Sequence, residues 1–145
     1  MTAGDAVVLT APGDTLCHSS IVADQVDLFL FSAACWLPHR IHFDRGFALS
    51  EGLPDTPVHG PLQAAWLCQL AEEWAMQHGG HLVASSVRHL ASVFPGDPLM
   101  AGVAATAVTD HATFLLIDVE LSLDRRGEVV TRGTGQIRLP RIGPA

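Results

Sequence analysis

The sequence predicts an α+β fold in which a long buried helix packs against a meander-rich antiparallel sheet. Three observations predict it. Over residues 61–78, Leu62, Trp66, Leu70 and Trp74 recur every four residues, and Ala64, Ala65, Leu67 and Ala71 widen the apolar coverage. Ile117, Val119, Leu121 and Leu123 alternate with Asp118, Glu120, Ser122 and Asp124, the pattern of a half-buried strand. Segments 82–92, 99–108, 113–123 and 129–139 all read as strands. A helix apolar over most of its circumference must be largely enclosed, and a sheet wrapped round it is the economical solution.

Taken in order, residues 7–10 and 16–22 are short β-leaning segments separated by the turn signal Pro12-Gly13-Asp14. Val26, Phe29, Leu30 and Ala33 then recur at helical spacing, with Asp24 as the N-cap and Pro38 as the stop. His39 to Asp44 begins in a loop, and residues 43–50 form a brief helix before Gly52 and Pro54. Pro61 suits the first turn of the long helix, and Gly79-Gly80 ends it. Asp124-Arg125-Arg126-Gly127 reads as a hairpin turn, and Pro95-Gly96-Asp97-Pro98 as another.

The 145 residues suit one domain, 1–145, with a real core. A hydrophobic content of 48% with 16% charged residues argues against disorder. No apolar run suits a bilayer span, and residues 1–14 lack a secretory pattern, so a soluble cytoplasmic protein is expected. A net charge of −7 disfavours nucleic acid as a partner. Cys17, Cys35 and Cys68 form no Cys-x-x-Cys pair and read as buried reduced thiols.

Chemistry concentrates in two stretches, His39-Arg40-Ile41-His42-Phe43-Asp44 and Val58-His59-Gly60-Pro61-Leu62. The second opens the long helix, whose unpaired N–H groups and positive dipole end suit a developing oxyanion. A histidine nearby carries protons near neutral pH. Base plus oxyanion site points to chemistry at a carbonyl or thioester.

With Phe31-Ser32-Ala33, these stretches resemble the MaoC-like hydratase/dehydratase family. They are most similar to its branch of mesaconyl-CoA hydratases and mitochondrial 3-hydroxyacyl-thioester dehydratases. The similarity is densest over residues 26–67 and weakens through Phe94-Pro95-Gly96-Asp97-Pro98-Leu99. The resemblance implies a hotdog fold, an antiparallel sheet around the central helix. It also implies hydration or dehydration across the α,β bond of an acyl thioester. His42 falls on the family's catalytic histidine, and the Gly60 N–H on its oxyanion donor. Assembly as a homodimer, or with a second hotdog subunit, is implied too. No cofactor or metal is implied; coenzyme A or phosphopantetheine enters as part of the substrate, an acyl-CoA or acyl carrier protein thioester.

One position departs. The wider family has an aspartate five residues before the catalytic histidine and the nearer branch an asparagine, where this chain has Leu37. His39 or Asp44 must then position water or supply the second proton function, although Asp44 also suits a cap of the following short helix. The loss favours two alternatives, a hotdog acyl-CoA thioesterase using a single base and a non-catalytic subunit of a heteromeric enzyme. Glu72 and Glu73 stand roughly 18 Å of helix rise from Gly60 and read as surface charge.

His59 is expected to fix the turn before the helix or to bind substrate. Trp36 is expected against the acyl group, and Arg40, with Arg45 and Arg88, against a coenzyme A phosphate. His39, His42 and His59 also resemble a three-imidazole zinc set, but nothing else in the sequence supports a metal. His18, His78, His81, His89 and His111 show no constellation.

Overall fold

The long helix buries one stripe against a five-stranded sheet. The computed structural model describes residues 10–141, in the order β1 (Thr15–Ile21), α1 (Gln25–Ala34), a 3₁₀ turn (Arg40–His42), α2 (Arg45–Ser50), α3 (Gly60–Gln77), β2 (His81–His89), β3 (Leu99–Asp110), β4 (Phe114–Arg125) and β5 (Glu128–Pro140). Of the β-leaning segment expected at 7–10, all but Thr10 lies outside the described residues. Among the described residues no helix is long and apolar enough to cross a membrane.

Sheet order is β1-β3-β4-β5-β2, with every neighbouring pair antiparallel. Strands β3, β4 and β5 form the expected meander. Strand β2 emerges from α3 and takes the far edge, pairing Leu82 with Ile137 and His89 with Thr131 of β5. The 95–98 turn is therefore not a hairpin, because β2 and β3 are not neighbours. It redirects the chain across the helix instead. Gly96 N–H bonds to the Ala23 carbonyl at 2.9 Å, and Asp97 accepts from Arg125 at 3.1 Å.

Alternation along the strands aims Ala101, Val103, Ala105, Ile117, Val119, Leu121, Leu123, Ile137 and Leu139 inward, all at most 1% exposed. Against them α3 lays Gln63, Leu67, Ala71 and Ala75, one residue on from the tryptophan-bearing row that the sequence pattern emphasised. Small side chains on this row let the helix sit close to the sheet, while Trp66, Leu70 and Trp74 pack half-buried along its flanks. Enclosure is one-sided, since Ala65, Gln69 and Glu73 face outward. The helix stops where expected. Gly79 takes a left-handed φ of +75°, and Gly80 N–H returns to the Ala75 carbonyl at 2.9 Å.

Glu72 is not idle surface charge. Its carboxylate accepts from the Leu82 N–H at 2.6 Å and pairs with His81 at 2.8 Å, fixing the start of β2.

Candidate active site at the start of helix α3

The site is built on two helix starts and the turn between them. Asp24 opens α1 with a capping box, accepting from the Val26 and Asp27 N–H groups at 2.8 and 2.9 Å. The helix ends at Ala34, before Pro38, because the chain closes on itself. Cys35 N–H bonds to the Phe31 carbonyl at 3.0 Å and Leu37 N–H to that of Ser32 at 2.9 Å, with Trp36 between them at φ +50°. Cys35 is exposed, not buried as its apolar neighbours suggested, and Trp36 is 82% exposed. The inward face of α1 presents Leu28 and Ser32.

Next comes the 3₁₀ turn. His39 caps it, its Nδ1 accepting from the Ile41 N–H at 3.4 Å. Asp44 caps α2, accepting from the Phe47 N–H at 3.0 Å, and pairs with Arg40 at 2.6 Å. The Phe47 N–H, then Arg40, hold the Asp44 carboxyl below the usual range. Arg40 also lies over the Phe47 ring, 4.5 Å from its centre. Both His39 and Asp44 thus hold their own backbone.

His42 ends this turn half-buried. Its Nδ1 lies 2.7 Å from the Pro57 carbonyl oxygen. A carbonyl only accepts, so Nδ1 carries the proton and Nε2 keeps the lone pair, the tautomer of a base. Gln25, at the start of α1, donates to the His42 carbonyl at 3.2 Å and accepts from the Thr56 hydroxyl at 2.7 Å. Sequence reading passed over Gln25, whose role depends on α1 lying beside the turn.

The His42 ring stacks on that of His59, 3.8 Å between centres. His59 is 1% exposed and shares a 2.8 Å hydrogen bond with the Ser32 hydroxyl through Nε2, while its buried Nδ1 has no partner. Burial, then the charge His42 can carry, push its pKa down to about 4, so it is neutral at pH 7. His59 stands at the N-cap of α3 without a side-chain capping bond. The first N–H groups of α3, that of Gly60 among them, therefore have no intrahelical or capping partner.

A second imidazole, unmarked by the sequence, meets this helix start. A Cβ on Gly60 would lie 2.8 Å from His89 Nε2 and 2.9 Å from its Cδ2. His89 Nδ1 lies 3.3 Å from the Thr131 hydroxyl, which donates to Gln63 Oε1 at 2.6 Å. Successive residues thus touch two histidines, His59 against His42 and Gly60 against His89. The signal available beforehand was the glycine itself, the smallest residue at the opening of a helix.

The three imidazoles that resemble a zinc set do not converge. Face-to-face stacking holds the His42 and His59 nitrogens in parallel planes, and their bonded edges point to Pro57 and Ser32. Among the described residues no group of three His, Cys, Asp or Glu side chains is arranged to hold a metal.

Residues 8–94 match the family described as hydroxyacyl-thioester dehydratase type 2. A 53-residue stretch is 49% identical to the mesaconyl-C(4)-CoA hydratase of Chloroflexus aurantiacus. It covers 36% of this chain and 19% of that protein, so the chain matches about a fifth of that relative's length. Among solved structures, the fold is similar to the (R)-hydratase from A. caviae involved in PHA biosynthesis, with a TM-score of 0.82 at 21% identity, over 92% of this chain and all of that one. A MaoC-like dehydratase from Rhodospirillum rubrum gives a TM-score of 0.81 at 18% identity, over 97% of this chain and all of that one. The ChsH1-ChsH2 complex from Mycobacterium tuberculosis gives 0.79 at 18% identity, over 90% and 99%. With the family match running from β1 to the end of β2, the chain belongs to the hydroxyacyl-thioester dehydratase type 2 family and has the hotdog fold of its structural neighbours.

Proposed function

We propose that the protein adds water to, or removes it from, the α,β bond of an acyl thioester, with His42 as the base and Gly60 as the oxyanion donor. The observation that carries this reading is the seating of His42, Nδ1–H held by Pro57, against the uncapped start of α3. In hydration, His42 Nε2 takes a proton from water as its oxygen bonds to the β-carbon. The C=C electron pair moves toward the thioester oxygen, where the Gly60 N–H and the helix dipole stabilise the enolate. Protonation of the α-carbon completes the addition. The reverse path is dehydration.

His59 acts in this scheme as a neutral plate that orients His42. Trp36 and Arg40, both exposed at the rim, are assigned to the acyl group and to a coenzyme A or phosphopantetheine phosphate. Assembly with a second hotdog unit, from the same or another chain, completes the substrate cleft. The family match and the relative named for mesaconyl-CoA hydration support the reaction class. Leu37 favours one competing reading, an acyl-CoA thioesterase that needs a single base.

The test is product mass spectrometry on a panel of saturated, α,β-unsaturated and 3-hydroxy acyl-CoA thioesters, with wild type and His42→Ala. Gain or loss of one water with the thioester intact, abolished in the variant, is the expected result. Release of free coenzyme A and acid would replace it with the thioesterase reading.

A further inference from the structure

Water addition across a double bond needs two proton transfers, one at each carbon. His42 accounts for the first. Leu37 offers no proton, and Asp44 and His39 are bound to their own backbone as caps. We propose that His89 is the second proton-transfer group of this site, exchanging a proton with the substrate's α-carbon. The proposal rests on the hydratase/dehydratase reading above.

Position is the first argument. His89 ends β2, an edge strand whose last pair is His89 with Thr131, and this register carries its ring to the opening of α3. The Nε2 edge lies so close to the Gly60 Cα that no other residue type fits there without moving the ring. A thioester oxygen held by the Gly60 N–H keeps the α-carbon only two bonds away, beside a helix start that the His89 ring also touches.

The tautomer is the second. Gln63 donates through its amide nitrogen to the Val58 carbonyl at 3.2 Å, so its Oε1 accepts the single Thr131 hydroxyl proton. The Thr131 oxygen is left only to accept, and His89 Nδ1 must be the donor. This chain of bonds assigns the Nδ1 proton and leaves Nε2 free to take or give one. His42 is fixed in the same sense by Pro57. Both imidazoles thus carry their proton on Nδ1, each held by a different backbone or side-chain acceptor, and the His89 Nε2 edge lies against the helix start.

In hydration His89 enters protonated at both nitrogens. As the enolate collapses, its electron pair forms the C–H bond at the α-carbon with the Nε2 proton. His42, meanwhile, has gained a proton from water. One proton returns from His42 to His89 through solvent, and the sum is thioester plus water giving 3-hydroxy thioester.

The experiment measures kcat and KM of wild type, His89→Gln and His89→Ala on the unsaturated thioester the panel selects, with and without added imidazole. His89 is exposed and outside the core, so matching thermal melts establish that the variants fold. We expect kcat to fall on the order of 10²-fold, KM to stay within threefold, and imidazole to restore part of the loss in His89→Ala. A kcat loss under tenfold, or one confined to KM, overturns the assignment while leaving the reaction class intact. If the wild type turns over no member of the panel, the reaction class fails instead. The assignment of His89 then falls with it; where the wild type is active, histidine-ring NMR with acetoacetyl-CoA, whose enolate mimics the intermediate, checks the assignment a second way. A shift at His89 Nε2 that tracks saturation upholds it, and an unmoved ring overturns it.

Discussion

The imidazoles of His42 and His59 lie face to face, 3.8 Å between centres and 22° from parallel, with His59 enclosed and His42 at the surface of the pair. Burial, then the charge His42 can carry, keeps the enclosed His59 ring neutral at pH 7. The fold thereby uses one histidine as a plate for another.

That arrangement predicts acid sensitivity. The folded pKa of His59, about 4, lies below the ordinary value of 6.5, so between these values the unfolded chain binds the extra proton. Stability from this group is fully present above pH 6.5. It declines as pH falls from 6.5 to 4, and changes no further below that. The loss is on the order of 3 kcal/mol, at about 1.4 kcal/mol per pKa unit. Urea unfolding at pH 7.5, 5.5 and 4 checks it, and His59→Gln should flatten the slope across that window relative to wild type.

Gln25 links the start of α1 to the carbonyl of His42 and to the buried Thr56. Gln25→Ala strands the Thr56 hydroxyl and frees the histidine turn. The expected cost is about 1–2 kcal/mol of stability, measured by denaturant melts. A roughly tenfold lower kcat should accompany it, as expected when a reacting group loses its orientation. An unchanged kcat would mean that the turn holds His42 without this tether.

How much of this was legible in the sequence depended on how local each cause is. The α3 start at Gly60-Pro61, its stop at Gly79 and the Asp24 cap are set by a few neighbouring residues, and all stand as read. The pattern implied a largely enclosed α3, but an alanine counts as apolar whichever way it faces, and Ala65 is exposed while Ala71 and Ala75 are buried. Closure of α1 at Cys35 depended on Trp36 adopting a left-handed φ, which no preference of tryptophan announces. His89 was invisible for a topological reason. It reaches Gly60 only because β2 crosses to the far edge of the sheet and pairs in one register with β5.

Asp44 separates two roles that a sequence cannot. Its carboxylate caps α2 and pairs with an exposed Arg40. Asparagine caps a helix as well as aspartate does, so Asp44→Asn should leave both melting temperature and kcat near wild type. Asp44→Ala should lower the melting temperature by a few degrees with kcat retained. A kcat collapse in the asparagine variant would instead assign Asp44 a proton-transfer role.

Trp36 carries an exposed ring on a left-handed backbone, so it gains no burial to offset the cost of that conformation. Trp36→Gly should raise stability by about 1 kcal/mol, the approximate penalty of that conformation for an L-residue. If the ring contacts the acyl chain, KM rises at the same time. Stabilisation with unchanged KM would remove Trp36 from the substrate path.

Gly60 and His89 give the most discriminating comparison. A Cβ at Gly60 would collide with the His89 ring, yet that ring ends a flexible, exposed side chain and can swing outward. Gly60→Ala should therefore leave the melting temperature nearly unchanged while lowering kcat about as much as His89→Ala. In the double variant the two losses should not add, because each removes the same imidazole from the same helix start. Independent, multiplying losses would show that alanine harms the oxyanion donor itself, separating the N–H of Gly60 from the ring beside it.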